Sequence, residues 1–213
     1  MIKEKKIIKF AIKMSKTMLS PMRSGNISIR ASKNGEKGFL ITPSGKKYES
    51  LKPNQIVFVT NKGKFNKTYF KPSSEWRFHQ SIYKSKPTIE SIVHTHSPCA
   101  VAVSCFRKPI PAFHYMVGLA GGNDIKCAKY STFGTKELSV NITRALKNRT
   151  ACLISNHGQV SVGNSIEEAF ELAEEVENLC NQYINSLRIG IPKILSKKEM
   201  TRVLKKIKNY KKG

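Results

Sequence analysis

The stretch SIVHTHSPCAVAVSCF, residues 91–106, decides the fold class of this 213-residue chain. Its first half is an apolar run that favours a buried strand. Its second half, after Ser97 and Pro98, has the small and apolar residues of a helix. Pro109 and Pro111 then end that helix. A strand that leads directly into a helix predicts a mixed α/β fold.

Two histidines, His94 and His96, stand one residue apart on this predicted strand. Side chains at this spacing leave the same face of a strand, so the two imidazoles can converge on one metal ion. A catalytic zinc site uses three protein ligands, which calls for a third. His157 is the best candidate, because it ends another strand-like run and the glycine after it allows close backbone approach. His79 and His114 have no such placement, and all of these rings can instead be ordinary core or surface histidines.

The pattern of apolar residues predicts further elements on both sides of this stretch. Helical spacing occurs in residues 2–19, 74–85, 135–147 and 165–188, and in the basic tail after Pro192. Short β-rich runs occur at residues 26–30, 38–45 and 55–60, and residues 150–163 are typical of two strands or of one strand that turns at His157 and Gly158. Neither a repeat nor a linker interrupts the chain, so we predict one α/β domain over residues 1–213.

The charge of the chain is strongly positive, with 38 basic and 14 acidic residues and a formal net charge of +24. Such a charge suggests a polyanionic partner, because Lys and Arg release counterions from phosphates. Here the basic residues are mostly Lys, are dispersed and do not alternate with aromatic residues. We therefore do not expect a nucleic-acid interface, and we interpret the charge as a solvated surface.

The cysteine usage indicates a reducing compartment. The chain has five cysteines and no Cys-x-x-Cys pair: Cys99, Cys105, Cys127, Cys152 and Cys180. An odd number without paired spacing argues against a disulfide framework and against a cysteine zinc site. We interpret them as buried, reduced thiols and expect a cytoplasmic protein. Since apolar runs stay below the roughly 18 residues of a membrane span, we predict neither a transmembrane helix nor a secretory signal.

Glu75 stands at the start of the predicted helix 74–85, behind Ser73 or Ser74 as its N-cap. A carboxylate there is either a catalytic acid or base, or an ordinary side chain that stabilises the helix dipole. Hydroxyls and backbone amides in turns can bind a phosphate, although the same residues are common in any turn. The candidates for this role are Gly25, Asn26, Ser44, Gly45, Ser73 and Ser74.

Seven separated motifs, taken in order, resemble the class II aldolase/adducin family. They are GNISIR, LITPSG, KPSSEWRFHQSIY, IVHTHSP, IPAFHYMVGLAGG, YSTFGTKELS and NHGQVSVG. The resemblance runs from about residue 5 to the tail. It implies a single domain with a mixed, mostly antiparallel sheet flanked by helices. It also implies a homotetramer with active sites between subunits, and zinc-dependent cleavage of L-fuculose 1-phosphate to dihydroxyacetone phosphate and L-lactaldehyde.

The resemblance also assigns roles to residues. It implies that His94, His96 and His157 bind Zn²⁺ and that Glu75 is the acid/base carboxylate, which also approaches the metal. Tyr115 matches a tyrosine that enters the site of the neighbouring subunit, and Tyr210 is matched to a second one near the C-terminus. The phosphate-binding loops match Gly25, Asn26, Ser44, Gly45, Ser73 and Ser74, although the family often has Thr at the position of Ser44.

Other functions stay open at this point. Within the same family, the chain can be a 5-deoxypentulose 1-phosphate aldolase, an L-ribulose-5-phosphate 4-epimerase or a methylthioribulose-1-phosphate dehydratase. From other classes, it can be a non-catalytic relative, as adducin is, or a basic nucleic-acid-binding module. Complete sets of His, Glu and Ser residues favour an enzyme. The stretch around Glu75 and the AFHYMVGLAGGN segment favour the fuculose type.

Overall fold

The strand that carries His94 lies at the centre of a seven-stranded sheet. The structure is a computed structural model that describes residues 1–21, 23–66 and 70–210. The α-helices in these ranges are α1 (Ile2–Lys16), α2 (Trp76–Ser85), α3 (Pro98–Ser104), α4 (Lys136–Ala145), α5 (Ile166–Ile189) and α6 (Lys197–Tyr210). None of them is long and apolar enough to cross a lipid bilayer.

The strands form two sheets. Those of the large sheet are β1 (Asn26–Lys33), β2 (Glu36–Ile41), β3 (Val57–Thr60), β4 (Ser91–Thr95), β7 (Cys127–Ala128), β8 (Ala151–Ile154) and β9 (Gly158–Gly163). Their order is β3-β2-β1-β4-β9-β8-β7, and only β7 and β8 pair in parallel. The small sheet pairs β5 (Ile110–Pro111) with β6 (Asp124–Ile125). The prediction of a mixed, mostly antiparallel sheet flanked by helices is confirmed.

Both faces of the large sheet are covered by helices, because its central strands are apolar on both sides. On one face, α2 and α4 pack on it with buried side chains such as Phe78 and Leu138. On the other face, α1 and α5 pack with side chains such as Ile7 and Phe170. A third cluster joins α3 and α5 to the 3-10 helix Tyr115–Ala120. The central strands are therefore held from both sides, and their ends have fixed positions.

Some predicted boundaries differ from the structure. The runs 26–30 and 38–45 are instead Asn26–Lys33 and Glu36–Ile41, because the turn residues Asn34 and Gly35 both have positive φ and join the strands tightly. The helix predicted for 74–85 begins at Trp76, and its N-cap is Glu75 rather than a serine. The first helix ends at Lys16, before residue 19. The tail helix was predicted to run to the end, but residues 211–213 lie outside the described residues.

The prediction of buried cysteines is only partly right. All five thiols are free, but only Cys152 and Cys180 are buried, while Cys105 is exposed. Cys105 is exposed because it follows the last residue of α3, where the chain turns back toward the surface. The small and apolar neighbours that suggested burial belong to the helix before it.

Candidate active site

Four side chains from separate parts of the chain meet at one end of the large sheet. His94 lies on β4, and His96 follows two residues later, just after the strand ends. His157 lies in the turn between β8 and β9. Glu75 is the N-cap of α2. One ligand atom from each of these residues lies within 4.8 Å of all the others, so the structure brings together the four residues predicted to bind metal.

The polar atoms of these side chains face one another. Nε2 of His94 lies 3.0 Å from Nε2 of His96 and 3.0 Å from Oε2 of Glu75. Nε2 of His157 lies 3.3 Å from the other carboxylate oxygen, Oε1. This Oε1 is buried and has no hydrogen-bond partner in the described part of the chain. Lone pairs and a carboxylate directed at one point are stabilised by a cation at that point.

The far side of the His94 ring fixes which nitrogen faces the cluster. Nδ1 of His94 donates a hydrogen bond of 2.8 Å to the backbone carbonyl of Gln159, which can only accept. In the neutral ring, Nε2 therefore carries the lone pair. A second hydrogen bond of this kind is typical of histidines that bind metals, because it sets both the tautomer and the ring orientation. The β4–β9 pairing, in which His94 is opposite Val160, positions the neighbouring Gln159 carbonyl.

Burial and mutual interaction set the charge states at the site. Burial raises the pKa of the Glu75 carboxyl, but the charge of His94 and its hydrogen bond outweigh burial and bring the pKa to about 2. Burial, together with the electrostatic influence of His94, lowers the pKa of His96 to about 3 and that of His157 to about 4. At neutral pH the Glu75 carboxyl is thus ionised and the imidazoles of His96 and His157 are unprotonated, the forms in which these groups bind a metal.

Three imidazole nitrogens and one carboxylate oxygen are a donor set that divalent transition metals accept. The unpartnered Oε1 of Glu75 and the convergent nitrogen lone pairs are the observations that fit such an ion. The site can therefore hold a divalent metal ion, with His94, His96, His157 and Glu75 as its ligands. His79, which the sequence left as a weaker candidate, faces Asn26 and Ser28 instead of the cluster.

The loops predicted to bind phosphate lie side by side. Backbone hydrogen bonds join them, from the Ser44 amide to Lys71 and from the Ser73 amide to Thr42, both at 3.0 Å. Ser44, Gly45 and Ser74 are exposed, whereas Ser73 is buried and its Oγ accepts from the Glu75 amide. The two serine loops therefore open beside the start of α2, close to Glu75.

The third predicted phosphate loop, Gly25 and Asn26, is buried, in contrast to the two serine loops. Gly25 is buried, and the side chain of Asn26 is directed at Glu75, with Nδ2 3.1 Å from Oε2. Asn26 is opposite His94 in the β1–β4 ladder. An amide nitrogen has two hydrogens, so this contact leaves one of them for a substrate oxygen.

A cleft of about 290 Å³ leads to the four clustered side chains. Besides Ser74, Glu75 and two of the histidines, it is lined by residues that sequence reasoning missed: Ser24, Tyr130, Ser131, Phe133 and Asn156. Tyr130 and Phe133 are more than half exposed. The YSTFGTKELS motif contains both aromatic residues, and large apolar side chains in a turn were the signal that could have indicated a binding surface.

The two tyrosines predicted to be catalytic do not line this cleft. Tyr115 begins the 3-10 helix and is 53% exposed, and Tyr210 ends α6 and is 91% exposed. Both therefore present their rings to the surroundings of the chain rather than to its own site.

The cluster and the fold define a class of protein: an enzyme with a histidine-rich metal site at one end of a mixed sheet. Residues 5–184 match the family described as class II aldolase and adducin N-terminal domain. The chain belongs to this family, and it is a class II aldolase, an aldehyde-lyase.

Individual relatives cover most of the chain. The 5-methylthioribulose-1-phosphate/5-deoxyribulose-1-phosphate aldolase of Rhodospirillum rubrum is 48% identical over 187 residues, 88% of this chain and 82% of its own. The L-fuculose phosphate aldolase of Escherichia coli (strain K12) is 43% identical over 207 residues, 97% of this chain and 94% of its own. A solved structure of an L-fuculose 1-phosphate aldolase superposes with a TM-score of 0.91 at 34% identity, over 97% of this chain and 96% of that one.

Proposed function

We propose that this enzyme reversibly cleaves L-fuculose 1-phosphate to dihydroxyacetone phosphate and L-lactaldehyde. The observation that carries the proposal is the cluster of Glu75 with three histidines beside two serine loops. Relatives named for this substrate, at 43–44% identity over nearly the whole chain, support the same choice. The related 5-deoxyribulose 1-phosphate is the second candidate, because a relative of 48% identity is named for it.

The metal in this proposal is Zn²⁺, held by His94, His96 and His157 with Glu75 next to it. Histidine nitrogens and a carboxylate are ligands typical of catalytic zinc. When bound, the ion supplies a Lewis acid that polarises the ketone and stabilises the negative charge of the enediolate. The remaining tasks fall to side chains and backbone groups of the protein.

The substrate phosphate is proposed to bind where the two serine loops open, with Asn26 and Gly25 beside them. The residues given this role are Gly25, Asn26, Ser44, Gly45, Ser73 and Ser74. Support comes from the exposed hydroxyls of Ser44 and Ser74 and from their place at the start of α2, where the helix dipole favours an anion. A phosphate there directs the rest of the ketose toward the histidines.

Glu75 is proposed to transfer the proton at C3. When the bond between C3 and C4 breaks, its electron pair stays on C3 as the enediolate, and the C4 hydroxyl becomes the aldehyde. In the synthesis direction, the ionised Glu75 carboxylate removes the proton from C3 of dihydroxyacetone phosphate, and Tyr115 from a neighbouring subunit is proposed to donate its hydroxyl proton to the aldehyde oxygen, which becomes the C4 hydroxyl. The proton gained by Glu75 then returns through solvent to the Tyr115 phenolate, so both groups regain their starting forms, and cleavage is the reverse of these steps. Tyr210 is proposed to lie near Tyr115.

Both tyrosines require a second subunit, so the proposal includes a homotetramer with sites between subunits. Their exposure on the surface of one chain, outside its own cleft, supports this. The whole chain, residues 1–213, is proposed as one domain, since α6 packs against the 3-10 helix that carries Tyr115. Unpaired thiols support the proposed cytoplasmic location.

The cleft suggests how the aldehyde half is bound. Tyr130 and Phe133 line its wall and expose apolar ring surface. L-Fuculose 1-phosphate and 5-deoxyribulose 1-phosphate both end in a methyl group, which such rings can contact. The two substrates differ by one carbon bearing a hydroxyl group, so the ratio of their kcat/KM values measures which one the cleft fits.

The test is a coupled assay for dihydroxyacetone phosphate with both substrates and with 5-methylthioribulose 1-phosphate. We expect release from L-fuculose 1-phosphate with zinc-loaded protein and loss of activity after chelation. Glu75→Gln should lower kcat by roughly 10²–10⁴-fold, because the proton transfer is lost while three imidazoles still hold the ion.

Three outcomes would contradict the proposal. Full activity of Glu75→Gln would exclude the acid/base role of the carboxylate. A higher kcat/KM for either ribulose derivative than for L-fuculose 1-phosphate would reassign the substrate while leaving the aldolase chemistry intact. Inactivation by borohydride with substrate would indicate a Schiff base on a lysine instead of a metal.

A further inference from the structure

A buried row of hydrogen-bonded side chains leads from Glu75 into the core. Asn26 donates from Nδ2 to Glu75, and its Oδ1 lies 2.5 Å from Nε2 of His79. Nδ1 of His79 lies 2.7 Å from Oγ of Ser28, which lies 2.8 Å from the hydroxyl of Tyr83. All five side chains are buried. We call Asn26, His79, Ser28 and Tyr83 the Asn26–Tyr83 row.

The direction of every hydrogen bond in the row follows from the carboxylate at its end. An ionised Glu75 only accepts, so the NH₂ group of Asn26 faces it and the amide oxygen faces His79. His79 must then carry its proton on Nε2, which leaves Nδ1 to accept from the hydroxyl of Ser28. The oxygen of Ser28 in turn accepts from the Tyr83 hydroxyl at 2.8 Å, in preference to the Glu90 carbonyl, which lies 3.4 Å from that hydroxyl. This arrangement of protons satisfies the whole row.

The surroundings of His79 offer its nitrogens no other partners in the described part of the chain. Its ring is fully buried and stacks on Phe78, with ring centroids 4.5 Å apart, and Phe39 lies on its other side at 6.4 Å. The amide oxygen of Asn26 is equally enclosed. Removing the donor on His79 would leave that oxygen buried without a partner, and a rotated amide would direct an oxygen at the carboxylate.

We propose that His79 is a positioning residue that acts on Glu75 through Asn26. By donating to the amide oxygen, it fixes the amide in the orientation that holds the carboxylate against the three metal-binding histidines. This inference rests on the proposed function for one point, the approach of Glu75 to the metal. It assigns a task to a histidine that binds neither metal nor substrate.

A double-mutant cycle on Zn²⁺ affinity tests the proposal. His79→Phe keeps an aromatic ring but has no donor, and it should lower the affinity of the full chain for Zn²⁺ roughly 10-fold, the lower end of the range for residues behind a metal ligand. In the Glu75→Ala background, the same substitution should not lower the Zn²⁺ affinity further, because its effect is transmitted by the Glu75 carboxylate. Competition with a chromophoric chelator measures all four proteins.

The matched control is Ile82→Val, a change in a buried side chain of the same helix, α2. It loosens the core without touching the Asn26–Tyr83 row, and we expect unchanged Zn²⁺ affinity in both backgrounds. An equal loss from His79→Phe with and without Glu75 would show a general structural role and overturn the proposal.

A second measurement needs no variant and no metal. In wild-type protein labelled with ¹⁵N-histidine, the imidazole shifts of His79 should be those of a neutral ring protonated on Nε2. Protonation on Nδ1 would overturn the proposal, because Asn26 would then present its oxygen to Glu75. If wild-type protein binds no Zn²⁺, the proposed metal site is wrong, and the tautomer alone decides the role of His79.

Discussion

At the scale of single residues, two glycines allow neighbouring backbone segments to pass close together beside the site. Gly25 precedes β1, and a side chain there would meet Oγ of Ser20 and the carbonyl of His94. Its own carbonyl accepts a hydrogen bond from the buried hydroxyl of Tyr48. Gly158, after His157, faces the carbonyl of Thr95 in the same way. The close approach predicted at Gly158 is therefore confirmed, and its cause is the backbone of β4.

Gly25→Ala should separate β1 from β4 and shift His94. Its new methyl carbon would lie 2.5 Å from a backbone oxygen that cannot rotate away. We expect the free energy of unfolding to fall by about 1–3 kcal/mol, as overpacking usually costs, together with a measurable loss of metal affinity. Thermal unfolding and chelator competition measure the two effects.

Gly35→Ala is the control for this substitution. Gly35 lies in the turn between β1 and β2 at φ +77°, with no atom within 4 Å of an added methyl group. Because of this positive φ, an alanine at position 35 should lower the free energy of unfolding by about 1–2 kcal/mol. The position lies away from the histidines, so the metal affinity should not change. Metal affinity that falls equally in both variants would contradict our reading of Gly25.

The clustering of the three histidines was predictable because its signals are local. His94 and His96 are one residue apart at the end of one strand, and a glycine marks the close contact beside His157. The hydrogen bonds of Asn26 and His79 were not predictable, since they depend on the register of β1 against β4 and on how α2 packs over the sheet. The cleft residues Tyr130 and Phe133 were missed although their large aromatic side chains in a turn could have indicated a binding surface.

At the scale of whole elements, a charged side chain from one helix caps another. The carboxylate of Glu177, in the middle of α5, accepts hydrogen bonds from the amides of Cys99 and Ala100 at the start of α3, both at 2.8 Å. These amides have no partner within their own short helix. The helix that follows His96 is thus fixed by its neighbour rather than by a residue of its own.

Glu177→Ala should destabilise the protein by about 1.5–3 kcal/mol, because two hydrogen bonds to a charged group are lost and buried amides remain. Glu177→Gln keeps one acceptor oxygen and should therefore destabilise the protein less than Glu177→Ala. Urea unfolding gives both values. Glu171→Ala, an exposed position on the same helix, is the control and should change stability by less than about 0.5 kcal/mol. Equal effects at both positions would exclude capping by Glu177.

Helices and strands were predicted well where their periodicity is long and less well at their ends. The helix predicted for 165–188 is Ile166–Ile189, capped by Ser165, whose hydroxyl accepts from the Glu168 amide. The start of α2 was misjudged because Ser73 precedes the helix and accepts from the Glu75 amide without being its N-cap. Local hydroxyls identify the region of a helix start but not its first residue.

At the scale of the whole molecule, the proposed sharing of sites between subunits predicts complementation. Glu75→Gln and Tyr115→Ala should each be nearly inactive alone. Co-assembled, they should recover activity at about a quarter of the sites, those that combine an intact Glu75 with an intact Tyr115 from a neighbour. Activity of the mixed, refolded proteins measures this, with each variant refolded alone as the control. No recovery would contradict sites made by two subunits.

The pairing of β4 with β9 has a consequence for how the protein is made. His94 and His157 are far apart in the sequence, and the ladder between these strands brings them together. During synthesis, a ribosome-bound chain that ends before His157 lacks one of the three imidazoles, and a chain that ends at His157 still lacks the Gln159 carbonyl that orients His94. The complete site for the proposed ion therefore forms only after β9 has paired with β4, so metal uptake should report a late step of folding.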